Sequence, residues 1–143
     1  YYRKICGRDL QPVLRTIEMS QESCHVEITT LLVNGLNDSE EEIEKIANYI
    51  SSLNKNIPLH LTRYFPSYKM TRSSTDINVM KRSAEIARRH LNYVYLGNLA
   101  DYDNSTYCHE CGESLIDRSG FTAKPLIKKA YCPNCNKQVP IKL

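Results

Sequence analysis

Residues 26–53 read VEITTLLVNGLNDSEEEIEKIANYISSL, and the fold class depends on how this stretch divides. Its first part, residues 26–33, is rich in β-branched side chains and apolar at its far end. That predicts a strand whose composition suits burial on both faces, as in a parallel sheet. Asn34-Gly35 turns the backbone, and Asn37, Asp38 and Ser39 offer side-chain caps for a helix. Ser39 and Glu42 have the spacing of a capping box, and acidic residues crowd the first turn, where the helix dipole favours them. Ile43, Ile46, Ala47, Ile50 and Leu53 then form one apolar stripe, while Glu41, Glu44 and Lys45 face water. The charge run is therefore a solvated helix face and not a metal cluster.

The same unit recurs on either side. Before it, Leu10, Val13, Leu14 and Ile17 fall at i, i+3, i+4 and i+7, predicting a helix over 10–22 with Asp9 as its N-cap. After it, LHLTRYF (59–65) sits between Pro58 and Pro66 and reads as a second strand. A third helix fits 76–90, with Ile77, Met80, Ala84, Ala87 and Leu91 on one side. A third strand fits 93–96 and is closed by Gly97-Asn98. The order α-β-α-β-α-β implies right-handed crossovers and a parallel sheet. Three such units do not close a barrel, and they leave two unpaired edges that invite pairing with another chain. The fold class is thus α/β, a partial parallel (β/α) barrel over residues 1–103. A polar connector at 101–106 leads into a small second domain, 104–143. The chain opens on Tyr1 with no Met before Met19, so the expectation is a piece of a longer polypeptide.

Bulk properties narrow the function classes. With 143 residues, 41% hydrophobic and 24% charged, the composition is that of an ordinary globular protein. No apolar run approaches the roughly 18–20 residues needed to cross a bilayer, and no basic-then-apolar opening marks a secretion signal. The expectation is a cytoplasmic protein with no membrane partner. Residues 1–103 carry thirteen basic and thirteen acidic side chains, so the net charge of +3 lies in the tail. Its six basic residues are Arg118, Lys124, Lys128, Lys129, Lys137 and Lys142. Four thiolates around a divalent cation would carry about −2 and leave the tail near +1, so nucleic acid is an unlikely partner on charge grounds.

The tail carries the clearest chemistry. Cys108 and Cys111, then Cys132 and Cys135, make C-x2-C-x20-C-x2-C, a zinc-ribbon spacing. Two residues between cysteines form a knuckle that aims both sulfurs at one point. Two knuckles complete a tetrahedron with metal–sulfur bonds of about 2.3 Å. Gly112 and Asn136 follow the knuckles and tolerate the positive φ that such turns need. Pro133 stiffens the second turn, and the flanks LID (115–117) and VPIKL (139–143) supply short strands. Two disulfides would need an oxidising compartment, and CPNC alone resembles a thioredoxin-type redox pair. Iron suits the same ligands, with zinc the preferred ion. A four-sulfur site has no open position for substrate, so the tail is read as a clamp, supplied by metal with folding energy. Cys6 and Cys24 stand apart and are expected to be small buried hydrophobes. His25, His60, His90 and His109 share no ligand spacing, and His90 closes a helix where a partly positive ring suits the dipole.

Active sites of parallel barrels gather at the C-terminal ends of strands. Here those ends are residues 32–35, 63–69 and 97–98. Strand alternation places Glu27, Thr29 and Leu31 on one face, and His60, Thr62 and Tyr64 on one face of the next strand. Arg63 and Lys69 would suit an anionic or carboxylate ligand.

Several strings together carry a resemblance: YYRKICG (1–7), TTLLVNGLNDSEEEIEKIANYI (29–50), IPLHLTRYFPSYKMT (57–71), YVYLGN (93–98), TYCHECG (106–112), LIDRSG (115–120) and YCPNC (131–135). They look like the C-terminal half of the AmmeMemoRadiSam-system radical SAM proteins, relatives of the pyruvate formate-lyase activating enzymes. Asn34 stands where that family usually has Pro, and the connector before Cys108 is short. The resemblance implies a partial radical SAM barrel, in which a four-iron four-sulfur cluster held by a C-x3-C-x2-C loop cleaves S-adenosylmethionine. That loop is absent here, and Cys6 and Cys24 cannot replace it, so the chain alone is expected to be inactive. Its implied partners are the missing N-terminal half of the same barrel and a protein that serves as substrate or as binding partner. Asn34, Gly35, His60, Arg63 and Tyr64 are carried over as candidates for the wall of the cofactor cavity. The alternative is a non-enzymatic zinc-ribbon module binding a protein or nucleic acid, and a dithiol oxidoreductase is a third reading.

Overall fold

Ser39 adopts an extended backbone, and its hydroxyl accepts the Glu42 N–H at 3.3 Å, which starts the best-specified helix in the chain. The helix runs Glu40–Leu53 and buries Ile43, Ala47 and Ile50, the centre of the stripe expected for it. The computed structural model describes residues 1–100, 102–118 and 122–141. Asp101, at the head of the connector, lies outside those residues. So do Ser119 and Gly120 of the LIDRSG string and the last two positions of the VPIKL flank.

The described chain forms two compact units, Tyr1–Asn98 and Leu99–Leu143. The break between the units falls after Asn98. In the first unit a single turn with i→i+5 bonding, Tyr2–Cys6, precedes α1 (Gln11–Ser20), β1 (Ile28–Leu32), α2 (Glu40–Leu53), β2 (Leu59–Arg63), α3 (Ile77–Arg88) and β3 (Val94–Gly97). The three strands are parallel in the order β1-β2-β3. Among the described residues β1 and β3 are each bonded on one side only. No described helix is long and apolar enough to cross a membrane.

Register explains the layering. Ile28, Leu59 and Val94 are aligned, as are Thr30, Leu61 and Leu96. On this face Leu59, Leu61, Val94 and Leu96 are buried, along with Leu32. Helix α3 lies against β2, β3 and α2, burying Met80, Ala84 and Ala87. The alternate rows are Thr29–His60–Tyr95 and Leu31–Thr62–Gly97, and they are not covered: Leu31 is 43% exposed. Burial of β1 on both faces, expected from its apolar composition, is thus corrected. Composition alone does not distinguish a strand with two covers from one whose second cover is absent.

Three local expectations are also corrected. Asp9 does not cap α1; Leu10 occupies the cap without a side-chain bond, and the Asp9 carboxylate is held by Arg3 instead. Helix α1 has no fully buried residue, and it is tied to α2 by Tyr49, whose hydroxyl lies 3.0 Å from the Leu14 carbonyl and 3.1 Å from the Glu18 carboxylate. Ile77, assigned to the apolar side of α3, is exposed because it occupies the first helical position. Cys6 and Cys24 are exposed, not buried. Cys6 ends a turn that buries nothing, and the Cys24 thiol donates to the Ser20 carbonyl just past α1.

The second unit is a three-stranded antiparallel sheet, β4 (Thr106–Tyr107), β5 (Ser114–Asp117) and β6 (Lys124–Pro125). Its buried cluster holds Leu115, Ile116, Ile127 and Val139 together with Cys108 and Cys132. That is a small apolar core, and two of its members are thiols.

Candidate functional site

The cysteine turns are built alike. The Cys108 N–H donates to Glu113 O and the Gly112 N–H to Cys108 O, both at 2.8 Å. In the second turn the Cys132 N–H donates to Lys137 O at 2.8 Å and the Asn136 N–H to Cys132 O at 2.9 Å. Gly112 (φ 75) and Asn136 (φ 57) take the left-handed conformation that lets each turn close. An isolated bridge between Tyr131 and Gln138 flanks the second turn as β4–β5 flanks the first.

These turns bring four sulfurs to one point. All four Sγ atoms lie within 4.8 Å of one another, with Cys108–Cys135 at 3.6 Å and Cys111–Cys132 at 3.5 Å. A tetrahedron with bonds of about 2.3 Å has edges of about 3.8 Å, so the spacing fits one metal ion. It is well beyond the roughly 2.05 Å of a disulfide, and all six cysteines are free thiols. The electrostatics favour a cation at this point. The Glu113 backbone N–H draws the Cys111 thiol down to about 7, helped against partial desolvation by bonds from Cys132 and Cys135. Cys135 receives the Lys137 N–H, yet desolvation and the neighbouring sulfurs push it up to about 12. Four thiolates this close repel one another, and a divalent ion removes that conflict. Cys108 and Cys132 are buried while Cys111 and Cys135 reach the surface. With every ligand a protein sulfur, the arrangement offers no open coordination position.

The cavity-wall candidates of the first unit are placed at the strand ends and on the open sheet face. Asn34 and Gly35 turn the chain after β1: Asn34 donates to Ser73 Oγ at 2.6 Å, Gly35 has φ 67, and its N–H donates to Asp38 at 2.9 Å. Arg63 is committed to its own loop, with Nε donating to Thr75 O at 2.7 Å and the guanidinium 4.8 Å over the Phe65 ring. Tyr64 is buried beyond the end of β2, and its hydroxyl donates to Met70 O at 2.8 Å. His60 stays on the uncovered sheet face. Its ring stacks on Tyr95 at 5.2 Å, and its Nε2 lies 2.8 Å from the Glu27 carboxylate, which also meets His25 at 3.0 Å.

The bond to His25 holds the Glu27 carboxyl below its ordinary range, with His60 adding to the effect against slight desolvation. A carboxylate with a depressed folded-state pKa contributes stability above its unfolded value of about 4.3, and that stability is lost as pH falls through the folded value. Glu27→Gln is therefore expected to lower stability at neutral pH by at most ~1 kcal/mol, as for other half-exposed pairs. The difference from the parent should vanish in acid. Thermal melts as a function of pH check this, and a difference that grows on acidification would contradict it.

Two residues that sequence reasoning passed over organise the strand ends. Asn37, treated only as a cap, is buried, accepts the Val33 N–H at 2.8 Å and donates to Leu31 O at 2.9 Å. Thr75 is fully buried. It donates to Leu32 O, accepts the Tyr64 N–H at 3.2 Å, and pairs through its backbone N–H with Tyr64 O at 3.2 Å. Nothing in the polar string 73–76 signals that burial.

No family model matches the chain, and no solved structure matches it. An uncharacterized protein of Methanocaldococcus jannaschii, MJ0808, is 32% identical over 151 aligned positions, which take in 100% of this chain. The chain spans 45% of that relative's length.

Proposed function

We propose that this chain is the C-terminal arc of a larger parallel (β/α) barrel belonging to a radical SAM enzyme, with a structural zinc site at its end. The observation that carries the proposal is the one-sided sheet. Thr29, His60, Thr62 and Tyr95 stand on a strand face that no described helix covers, between two edges unpaired among the described residues, with Glu27 bonded to His60 beside them. An α/β sheet covered by helices on both faces would bury those rows under more helices, whereas a barrel turns them inward to line a cavity. The relative's extra length is compatible with the strands needed to complete such a barrel.

In this reading the cluster and S-adenosylmethionine reside in the completed barrel and supply the radical chemistry. The chain's own residues shape the wall. Asn34 and Gly35 set the turn at the mouth, Arg63 and Tyr64 brace the neighbouring loop, and His60 presents a ring held by Glu27 and Tyr95. Cys108, Cys111, Cys132 and Cys135 hold zinc and exclude water and substrate from it. Free thiols are kept by a reducing compartment, which supports a cytoplasmic location. The completing partner is the N-terminal half of the same barrel.

The test is to prepare the chain alone and joined to a preceding barrel half, each reconstituted with iron and sulfide without oxygen. Only the joined protein is expected to acquire the visible absorption of a four-iron cluster and to cleave S-adenosylmethionine. A joined protein that lacks both overturns the enzymatic reading and leaves a zinc-bearing binding module.

A further inference from the structure

The N-terminal turn and the loops after β1 and β2 line an open groove of about 490 Å³, with Lys4, Leu36, Ser67, Lys69, Met70 and Arg72 among its residues. Three of these are cations, and no carboxylate belongs to the lining. Among the described residues no acidic side chain pairs with Lys4, Lys69 or Arg72; the Arg72 guanidinium donates instead to the Asn34 carbonyl, at 3.0 Å. Uncompensated positive charge in a concave surface attracts anions, more strongly as their charge rises.

The loop after β2, which carries Lys69 and Arg72, is fixed rather than loose. Met70 N–H donates to Ser67 O at 3.2 Å, Tyr64 Oη to Met70 O at 2.8 Å, and Asn34 to Ser73 at 2.6 Å. Tyr68 is held at φ 54, a left-handed conformation that is strained for a bulky residue and persists only where the surroundings impose it. Its ring is 90% exposed beside the groove, with Lys69 Nζ 5.2 Å from the ring centre. The place also suits ligand binding, since parallel strands expose their loops and ligands at their C-terminal ends.

We propose that this groove binds the phosphate group of a small phosphorylated molecule. Two lysine ammoniums and one guanidinium match a di- or trianion better than a single carboxylate. The Ser67 hydroxyl adds a donor, and Leu36 and Met70 give an apolar floor for the rest of the ligand. The groove lies wholly within the first unit, so the proposal stands whether or not the radical reading does.

Pyrophosphate is the probe, titrated into the chain at low salt and followed by calorimetry and by amide shifts. Saturable binding is expected, with shifts confined to residues around 4, 36 and 67–72. Lys69→Ala and Lys4→Ala, which break none of the loop's hydrogen bonds, should each weaken binding about tenfold, equivalent to about 1.4 kcal/mol. Lys45→Ala, on the water-facing side of α2, should leave it unchanged. Absence of saturation overturns the proposal, as does equal weakening by Lys45→Ala, which would mean diffuse charge attraction. Tighter binding of citrate than of pyrophosphate overturns the phosphate assignment.

Discussion

Stripping the metal with a strong chelator is expected to unfold the second unit and leave Tyr1–Asn98 folded. The reason is the size of its core. Leu115, Ile116, Ile127 and Val139 are its buried aliphatic residues, and Cys108 and Cys132 fill the remaining interior positions. Units of about 40 residues seldom fold on apolar burial alone and take the balance from disulfides or a metal. The thiols here are free, so in the proposed reading a metal at the four sulfurs supplies it, and a tetrathiolate ion contributes on the order of 10–16 kcal/mol in comparable small domains. Without an ion, four sulfurs within 4.8 Å of one another become mutual liabilities once they ionise.

Amide spectra of the whole chain provide the readout. On chelation the signals of residues 106–139 should collapse toward random-coil positions, while those of α2 and α3 stay put. Cys132→Ala should produce the same collapse with metal present. Cys24→Ala, at an exposed thiol outside the cluster, should not. Acidification should release the ion, because each bound sulfur must first give up a proton and low pH returns it. A second unit that keeps its dispersed signals after complete metal removal would contradict the clamp reading and favour the dithiol one.

The elements specified by local physics are legible in the sequence. Ser39, the acidic first turn and the stripe from Ile43 to Ile50 each point to the same helix, and Asp76 caps α3 by accepting the Asn78 N–H at 2.7 Å. The cysteine knuckles were equally plain, since the spacing, Gly112 and Asn136 all serve one turn geometry. What escaped was settled by partners distant in the chain or by missing ones. Asp9 lost its capping role to Arg3. Leu31 looked like a core residue and is exposed because no described residue lies over it. Strands β4 and β6, two residues each, are too short to show an alternating pattern. Tail and sheet were therefore readable at the level of chemistry and layer, and the ends of strands were not. Those ends are held by side chains that bond across forty positions of sequence.

Thr75 is the sharpest case, and replacing it is expected to be costly out of proportion to the atom removed. Thr75→Val keeps the shape and β-branching but deletes Oγ1. The buried Leu32 carbonyl then loses its donor, and the Tyr64 N–H, at 3.2 Å, loses its acceptor. Each buried polar group left unmade costs about 1–3 kcal/mol, so the two together are expected to cost at least about 2 kcal/mol. For a unit of this size that lowers the melting temperature by on the order of 10–20 °C. Thr75→Ser retains the hydroxyl, gives up one methyl group, and should lose only about 1 kcal/mol. The contrast isolates the hydrogen bonds from the packing. Because Thr75 O also receives Arg63 Nε at 2.7 Å, loosening this residue should free the loop that carries Lys69 and Arg72. Pyrophosphate affinity should therefore fall in the Val variant and recover in the Ser variant. If Thr75→Val instead melts within a couple of degrees of the parent, the strand ends are held by something other than this hydroxyl.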